Sequence, residues 1–335
     1  MGFRHVRRIA LLVVAVVAAT VGVVAWRALS PTETLAAGPR VVEIPAHQGV
    51  MDIARQLRDA DIIRSPEAFV ALSALRGTAR ALRAGEYEFP RDGTTLTALR
   101  LLESGKVRLH QVLHPEGATI AELARTLEQQ QLAKAADVTR VAADPAFLRS
   151  LGVEAPSLEG YVFPDTYHFA KGLTPEQILT RMVQRLRAKL SPEVVARARD
   201  RGMDVHQLLT LASIIEREAA VQDERPLISG VFWNRLQTGM PLQADPTVQY
   251  AVGKERRALT RADLATDHPY NTYVHPGLPP GPIASPGLSA IQAAVAPAPV
   301  KYFYFVASDD HRHHFSTTIA EHNAAVARYR LARIR

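Results

Sequence analysis

The sequence predicts an α+β protein in three parts: a single N-terminal transmembrane helix, a small βααβ module and a larger, helix-rich mixed domain. Three observations predict it. An uncharged apolar run occupies Ile9 to Trp26. Strand-like and helix-like patterns then follow in the order strand, helix, helix, strand over about 50 residues from Val41, and past residue 107 apolar positions recur mainly at helical spacing. The boundaries read from these changes are a cytoplasmic N-terminus at 1–8, the span at 9–26, a linker at 27–40, the small module at 41–106 and the large domain at 107–335.

The run from Ile9 to Trp26 is 18 residues long. At a helical rise of about 1.5 Å it covers roughly 27 Å, close to the hydrocarbon thickness of a bilayer. Arg4, Arg7 and Arg8 precede it and only Arg27 follows closely, a bias that places the N-terminus in the cytoplasm and exports the body. A cleavable signal would carry an apolar region of about 7 to 15 residues, shorter than this one. Leu35-Ala36-Ala37 suits a peptidase, yet the length favours an anchor.

Three stretches after the linker share a pattern of β-rich residues, a proline, a glycine and an amphipathic helix: Val41 to Leu57, Tyr87 to Leu102 and Val107 to Leu127. In the first, Val42 and Ile44 alternate as in a half-buried strand, Pro45 and Gly49 mark the turn, and Ile53, Leu57 and Ile62-Ile63 continue at helical spacing. A second helix spans Pro66 to Leu75 and a strand Glu86 to Phe89. A unit this small suits binding or spacing better than chemistry.

In the large domain, Thr119 and Glu122 form a capping box ahead of Ile120, Leu123 and Leu127, and Thr174-Pro175-Glu176-Gln177 caps a helix carrying Ile178, Leu179, Met182, Val183 and Leu186. Further helices are predicted at Val205 to Ala220 and Glu224 to Leu236. A long Pro/Gly stretch, Met240 to Pro286, follows and reads as a binding or active-site loop. A helix near Leu288, strands at Tyr302 to Val306 and His314 to Ser316, and a final helix complete the order.

Composition narrows the chemistry. The chain has no cysteine, which removes disulfides, thiolate nucleophiles, Cys-ligated metals and lipid-modified cysteine. Of the formal charge of +7, four arginines lie in the first 27 residues; the remainder holds 36 basic and 33 acidic residues, with no basic run interleaved with aromatics. Nucleic acid is therefore not an expected partner. No phosphate-binding loop, dinucleotide fingerprint, nucleophile elbow or zinc-protease motif occurs. The run His311-Arg-His-His314 has no recurring partner at ligand spacing and reads as an exposed hairpin tip; no metal and no cofactor are expected.

Three clusters remain. Leu211-Ala-Ser-Ile-Ile-Glu-Arg-Glu-Ala219 sets Glu216 and Glu218 at i and i+2, about 200° apart on a helix and each about 80° from its buried direction. Either borders a cleft equally well, and a carboxyl at such an apolar boundary holds its proton to higher pH, as donation to a glycosidic oxygen requires. Solvated glutamates paired with Arg217 or Arg225 are the plainer alternative. Leu158 to Tyr167 combines aromatics with Glu159 and Asp165, suiting either sugar stacking or a buried corner. Leu242 to Tyr250, with Asn271 to Tyr273 and Gly277 to Ile283, sets amide, hydroxyl and phenol groups on rigid turns.

Taken together these residues resemble the endolytic murein transglycosylases of the YceG-like group, single-span proteins of the bacterial inner membrane. The resemblance runs through Glu159-Gly160, Phe163-Pro164-Asp165-Thr166, Ala212-Ser-Ile-Ile-Glu-Arg-Glu218, Asn234-Arg235-Leu236, Leu242-Gln243, Asp245-Pro246-Thr247, Tyr270-Asn271-Thr272-Tyr273, Gly277-Leu-Pro-Pro-Gly-Pro-Ile283, Tyr304-Phe305-Val306 and His322-Asn323. It implies a LysM-like, glycan-binding identity for the small module. It also implies cleavage of the β-1,4 bond between N-acetylmuramic acid and N-acetylglucosamine to leave a 1,6-anhydro end. The same resemblance points to Glu218 as the catalytic acid and base, with Glu216 second. It makes Glu159, Asp165, Gln243, Asp245, Asn271 and Tyr273 candidates for saccharide contacts or for holding the groove. Penicillin-binding proteins or other wall synthases, nascent glycan strands and the membrane are the implied partners. A non-catalytic glycan-binding scaffold shares every feature except turnover. A pyridoxal-dependent lyase would need a Schiff-base lysine, and only Lys171 and Lys189 lie between Leu158 and Glu218.

Overall fold

A computed structural model describes residues 2–30, 39–45, 47–254, 257–308 and 312–332; a few side chains within these, among them those of residues 2–6, 10, 24, 27–29 and 330–332, lie outside the description. Most of the predicted linker, residues 31 to 38, and His311 of the histidine run also lie outside it. The architecture is a helix-rich α+β fold whose strands form three two-stranded sheets. The chain divides into two compact units, 1–110 with 170–172, and 111–169 with 173–335.

The first unit begins with α1 (Gly2–Leu29), whose described apolar side chains, such as Leu12, Val14 and Val21, are exposed. Over the described side chains, which in α1 run without a break from 11 to 23, no helix is long and apolar enough to cross a membrane. Then come β1 (Arg40–Ile44), α2 (Val50–Asp59), α3 (Pro66–Leu75), β2 (Gly85–Phe89) and α4 (Thr95–Ser104). β1 and β2 pair antiparallel with Val42 opposite Tyr87, so alternate side chains meet one core. Val42, Ile44, Ile53, Leu57, Ile63, Phe69, Tyr87, Phe89, Leu99 and Leu102 fill it. Ser65 caps α3 by accepting from Ala68 N–H, with Pro66 in the first turn, an arrangement worth about 1 kcal/mol.

The second unit opens with β3 (Leu109–His114), α5 (Ile120–Gln129), α6 (Ala135–Ala142) and α7 (Pro145–Ser150), followed by β4 (Asp165–Ala170), which pairs with β3. The aromatic cluster therefore splits. Leu158 to Pro164 is a buried corner, while Asp165 begins a strand. Helices α8 (Pro175–Lys189), α9 (Pro192–Asp200), α10 (Val205–Glu218) and α11 (Arg225–Gln237) follow. The capping boxes read from the sequence at Thr119/Glu122 and Thr174/Gln177 both form. α10 is the central helix: Leu208, Leu209, Leu211, Ala212, Ile214 and Ile215 are each fully buried.

The Pro/Gly stretch departs from its reading as one loop. It folds α12 (Asp245–Ala251), with a proline in its first turn, and α13 (Arg261–Leu264), capped reciprocally by Thr260 and Asp263. Its end, 281 to 287, is wholly buried. α14 (Leu288–Val295), an antiparallel hairpin of β5 (Tyr304–Ala307) and β6 (His313–Ser316), and α15 (Ile319–Ala332) close the unit.

Candidate active site

The C-terminal turn of α10 delivers both glutamates to one cleft of about 420 Å³, lined by Glu116, Gly117, Glu216, Arg217, Glu218, Asp245, Pro246 and Gln249. The cleft is thus built from the turn after β3, the end of α10 and the start of α12. Ser213, fully buried one turn before Glu216, accepts the Ile283 N–H at 3.0 Å and pins the end of the Pro/Gly stretch to the same helix.

Two residues apart, the glutamates have different surroundings. Glu216 is buried; Oε1 accepts from Arg225 Nη2 at 2.6 Å and Oε2 from Gly287 N–H at 3.0 Å. Both its oxygens are thus engaged by donors, one of them cationic. Glu218 is partly buried at the cleft, and its carboxyl is pushed up to about 8, first by burial and then by the neighbouring Asp245 charge. Arg235, Arg217 and the Asp245 N–H, which the Glu218 carboxylate accepts, oppose the rise. At neutral pH Glu218 therefore carries a transferable proton.

Asp245 is positioned by its neighbours. Tyr273 donates its phenol to Asp245 Oδ1 at 2.6 Å, and burial together with that bond raises the phenol well above its ordinary range. The turn before α12 is sewn to Thr272: Gln243 N–H donates to its carbonyl at 3.0 Å, Ala244 N–H to its hydroxyl at 3.0 Å, and Thr247 shares a hydroxyl contact at 2.9 Å. Arg235 donates Nε to Phe303 O and Nη1 to Leu242 O, lies 5.4 Å from the Tyr304 ring, and acts electrostatically on both Glu218 and Tyr273.

The other sequence candidates fall in different places. Gln243 is exposed at φ 50° beside the Asp245 turn. Asn271 is fully buried; its amide donates to Leu264 O and Thr266 O and its Oδ1 accepts from Tyr273 N–H, so it holds the loop that carries Tyr273. Glu159 is buried with both oxygens on the Ile120 N–H at the start of α5. Asp165 pairs with Arg185 at 2.7 Å and accepts from Thr166 N–H. Glu159 and Asp165 are outside the cleft lining and serve the fold around it. Gln249 belongs to the cluster Leu242 to Tyr250 without being singled out there, and sequence reasoning missed Glu116; the sequence signal for Glu116 is its turn, His114-Pro115-Glu116-Gly117. Among the described residues no cluster of His, Asp and Glu is placed to hold a metal ion.

The chain is similar to several known proteins. The sequence profile of the YceG-like family matches residues 42–328. An endolytic murein transglycosylase of Bacillus subtilis is 34% identical over 304 residues, 86% of this chain and 84% of that protein. One from Streptococcus pneumoniae is 32% identical over 320 residues, 86% of this chain and 58% of the relative. A crystal structure of a YceG-like protein from Listeria monocytogenes matches with a TM-score of 0.61 at 35% identity, covering 86% of this chain and 99% of that one.

Proposed function

Because the chain belongs to the YceG-like family, we propose that it is an endolytic peptidoglycan lytic transglycosylase, cleaving the MurNAc-β-1,4-GlcNAc bond within glycan strands. The observation that carries this reading is the contrast on α10: Glu218 holds a proton at the cleft while Glu216 is engaged by Arg225 and Gly287. Glu218 donates its proton to the glycosidic oxygen as the bond to the anomeric carbon breaks. The resulting carboxylate takes the proton of the muramoyl 6-hydroxyl, whose oxygen closes on the anomeric carbon to give the 1,6-anhydro ring. No water is consumed, so one carboxyl serves as acid and then base, and the tethered hydroxyl supplies the advantage of proximity. Glu216 fixes the end of α10, and Asp245, held by Tyr273, raises the Glu218 proton affinity.

The same reading places the catalytic unit outside the cytoplasmic membrane. Its support is the uncharged run Ile9 to Trp26 and the arginines before it. The first unit, by its LysM-like resemblance, binds glycan, and wall synthases such as penicillin-binding proteins are the partners of an enzyme that ends growing strands. The test is mass spectrometry of soluble products after incubating the full-length protein with uncross-linked glycan strands, wild type beside Glu218→Gln. Anhydro-ended fragments from the wild type alone are expected. Products heavier by one water identify a hydrolase, and strands bound but uncut by either protein identify a scaffold.

A further inference from the structure

We propose that Glu116 is a glycan-contacting residue of this cleft, a carboxylate that accepts a hydrogen bond from a sugar hydroxyl or acetamido N–H, and that Gly287 leaves the room its carboxylate occupies. The inference rests on the transglycosylase reading and adds to it a residue some 100 positions away from α10.

Four observations converge. First, Glu116 lines the cleft beside Glu218 and Asp245, and its side chain keeps 46% exposure. Second, the turn that carries it is rigid: Gly117 N–H donates to Ser285 O at 2.9 Å, Ser285 N–H to Ala118 O at 2.8 Å, and the His114 ring meets Ser285 Oγ at 2.8 Å. Burial pushes His114 down to about 4, so this tie stays neutral through the physiological range. Third, the Glu116 carboxylate receives no hydrogen bond among the described residues. Its nearest cation, Arg225, stands 3.5 Å away and is already bonded to Glu216 at 2.6 Å. Two carboxylates share one guanidinium, and the more exposed one, at the cleft lining, is the farther from it. Burial and the Glu216 charge raise its proton affinity while Arg225 opposes, as befits an acceptor short of donors.

The fourth observation concerns Gly287. Its φ of −73° is open to any residue, yet a Cβ there would lie 2.0 Å from Glu116 Oε1. The missing Cβ leaves room that this carboxylate occupies, and the carboxylate, at the end of a half-exposed side chain, would move aside for a larger residue. Since Gly287 N–H also holds Glu216, one backbone position lies against both acids. A ligand able to use Glu116 offers hydroxyl or amide donors, which amino sugars present along both edges. Anionic groups are turned away.

The test is steady-state cleavage of uncross-linked glycan strands by Glu116→Ala, Glu116→Gln, Gly287→Ala and the double variant Glu116→Ala/Gly287→Ala. Loss of a charge-assisted hydrogen bond predicts that Glu116→Ala raises KM about tenfold with kcat within about threefold, Glu116→Gln falling between. Gly287→Ala, which displaces the carboxylate without removing it, raises KM in the same sense. Its effect vanishes in the Glu116→Ala background. Affinity for glycan fragments is measured in parallel in Glu218→Gln protein, with and without Glu116→Ala, and a tenfold loss is expected. An unchanged KM and affinity in folded Glu116→Ala, or an additive Gly287→Ala effect, overturns the proposal. If the wild type cuts nothing or yields water-added products, it is the transglycosylase reading that fails; if the wild type yields anhydro ends and Glu116→Ala behaves as wild type, only the role of Glu116 fails.

Discussion

Glu216 and Glu218 are separated by one residue on the same helical turn, and one end of the cleft treats them oppositely. Around Glu216 the protein supplies a guanidinium and a backbone N–H at hydrogen-bond distance. Around Glu218 it supplies an anion, Asp245, and burial that its cationic neighbours offset only in part. The lesson is that a helix offset of two residues is enough to change the partners a carboxyl meets.

The largest expected effect breaks the comparison outright. Glu218→Gln should lower turnover by about a thousandfold, the scale of a lost general acid, whereas Glu216→Gln should lose less than about tenfold at temperatures where it stays folded; anhydro-end counting by mass spectrometry checks both. Next comes the ion pair. Arg225→Met leaves the buried Glu216 carboxyl without its cationic partner, at a cost of about 3–5 kcal/mol, or a fall in Tm of roughly 10 °C. Adding Glu216→Leu should restore most of it, which scanning calorimetry measures.

Two smaller effects sharpen the contrast. The activity that needs protonated Glu218 should fall as pH rises through about 8. Asp245→Asn removes the neighbouring anion and should move that limb about one unit toward acid. Tyr273→Phe, which only loosens Asp245, should move it by less. Stability carries the same signature. The folded Glu218 keeps its proton to about 8, whereas a free glutamate releases it near 4.5, so between these values the native state binds more protons. The stabilisation from this group is complete below the unfolded pKa and is lost as pH rises through the folded one. Between pH 5 and 9 the Tm of the wild type should therefore drop more than that of Glu218→Gln.

Features written in neighbouring residues were legible. The capping boxes at Thr119 and Thr174, the alternation of Val42 and Ile44 and the apolar face of α10 all depend on contacts within a few positions, and they appear where they were placed. α12 was missed because Asp245-Pro246 starts a helix with the same residues that start a turn. The different surroundings of Glu216 and Glu218 are invisible to periodicity because Arg225, Gly287 and Asp245 reach them from other elements. Glu116 escaped for the same reason, and Asn271 and Glu159, polar enough to suggest ligands, spend their hydrogen bonds on Leu264, Thr266 and Ile120.

The stitching of Ser285 to His114 and Ala118 joins residues 171 and 167 positions apart. Contacts so distant along the chain form only after the entropy of closing a long loop has been met, which places them late in folding. A chain that has been synthesised only as far as α12 already contains Glu218 and Asp245, yet lacks the strand of residues that holds Glu116 and Glu216 in place. The cleft is therefore completed when residue 287 arrives, and a chain that ends before it holds Glu218 and Asp245 without the contacts that seat Glu116 and Glu216 beside them.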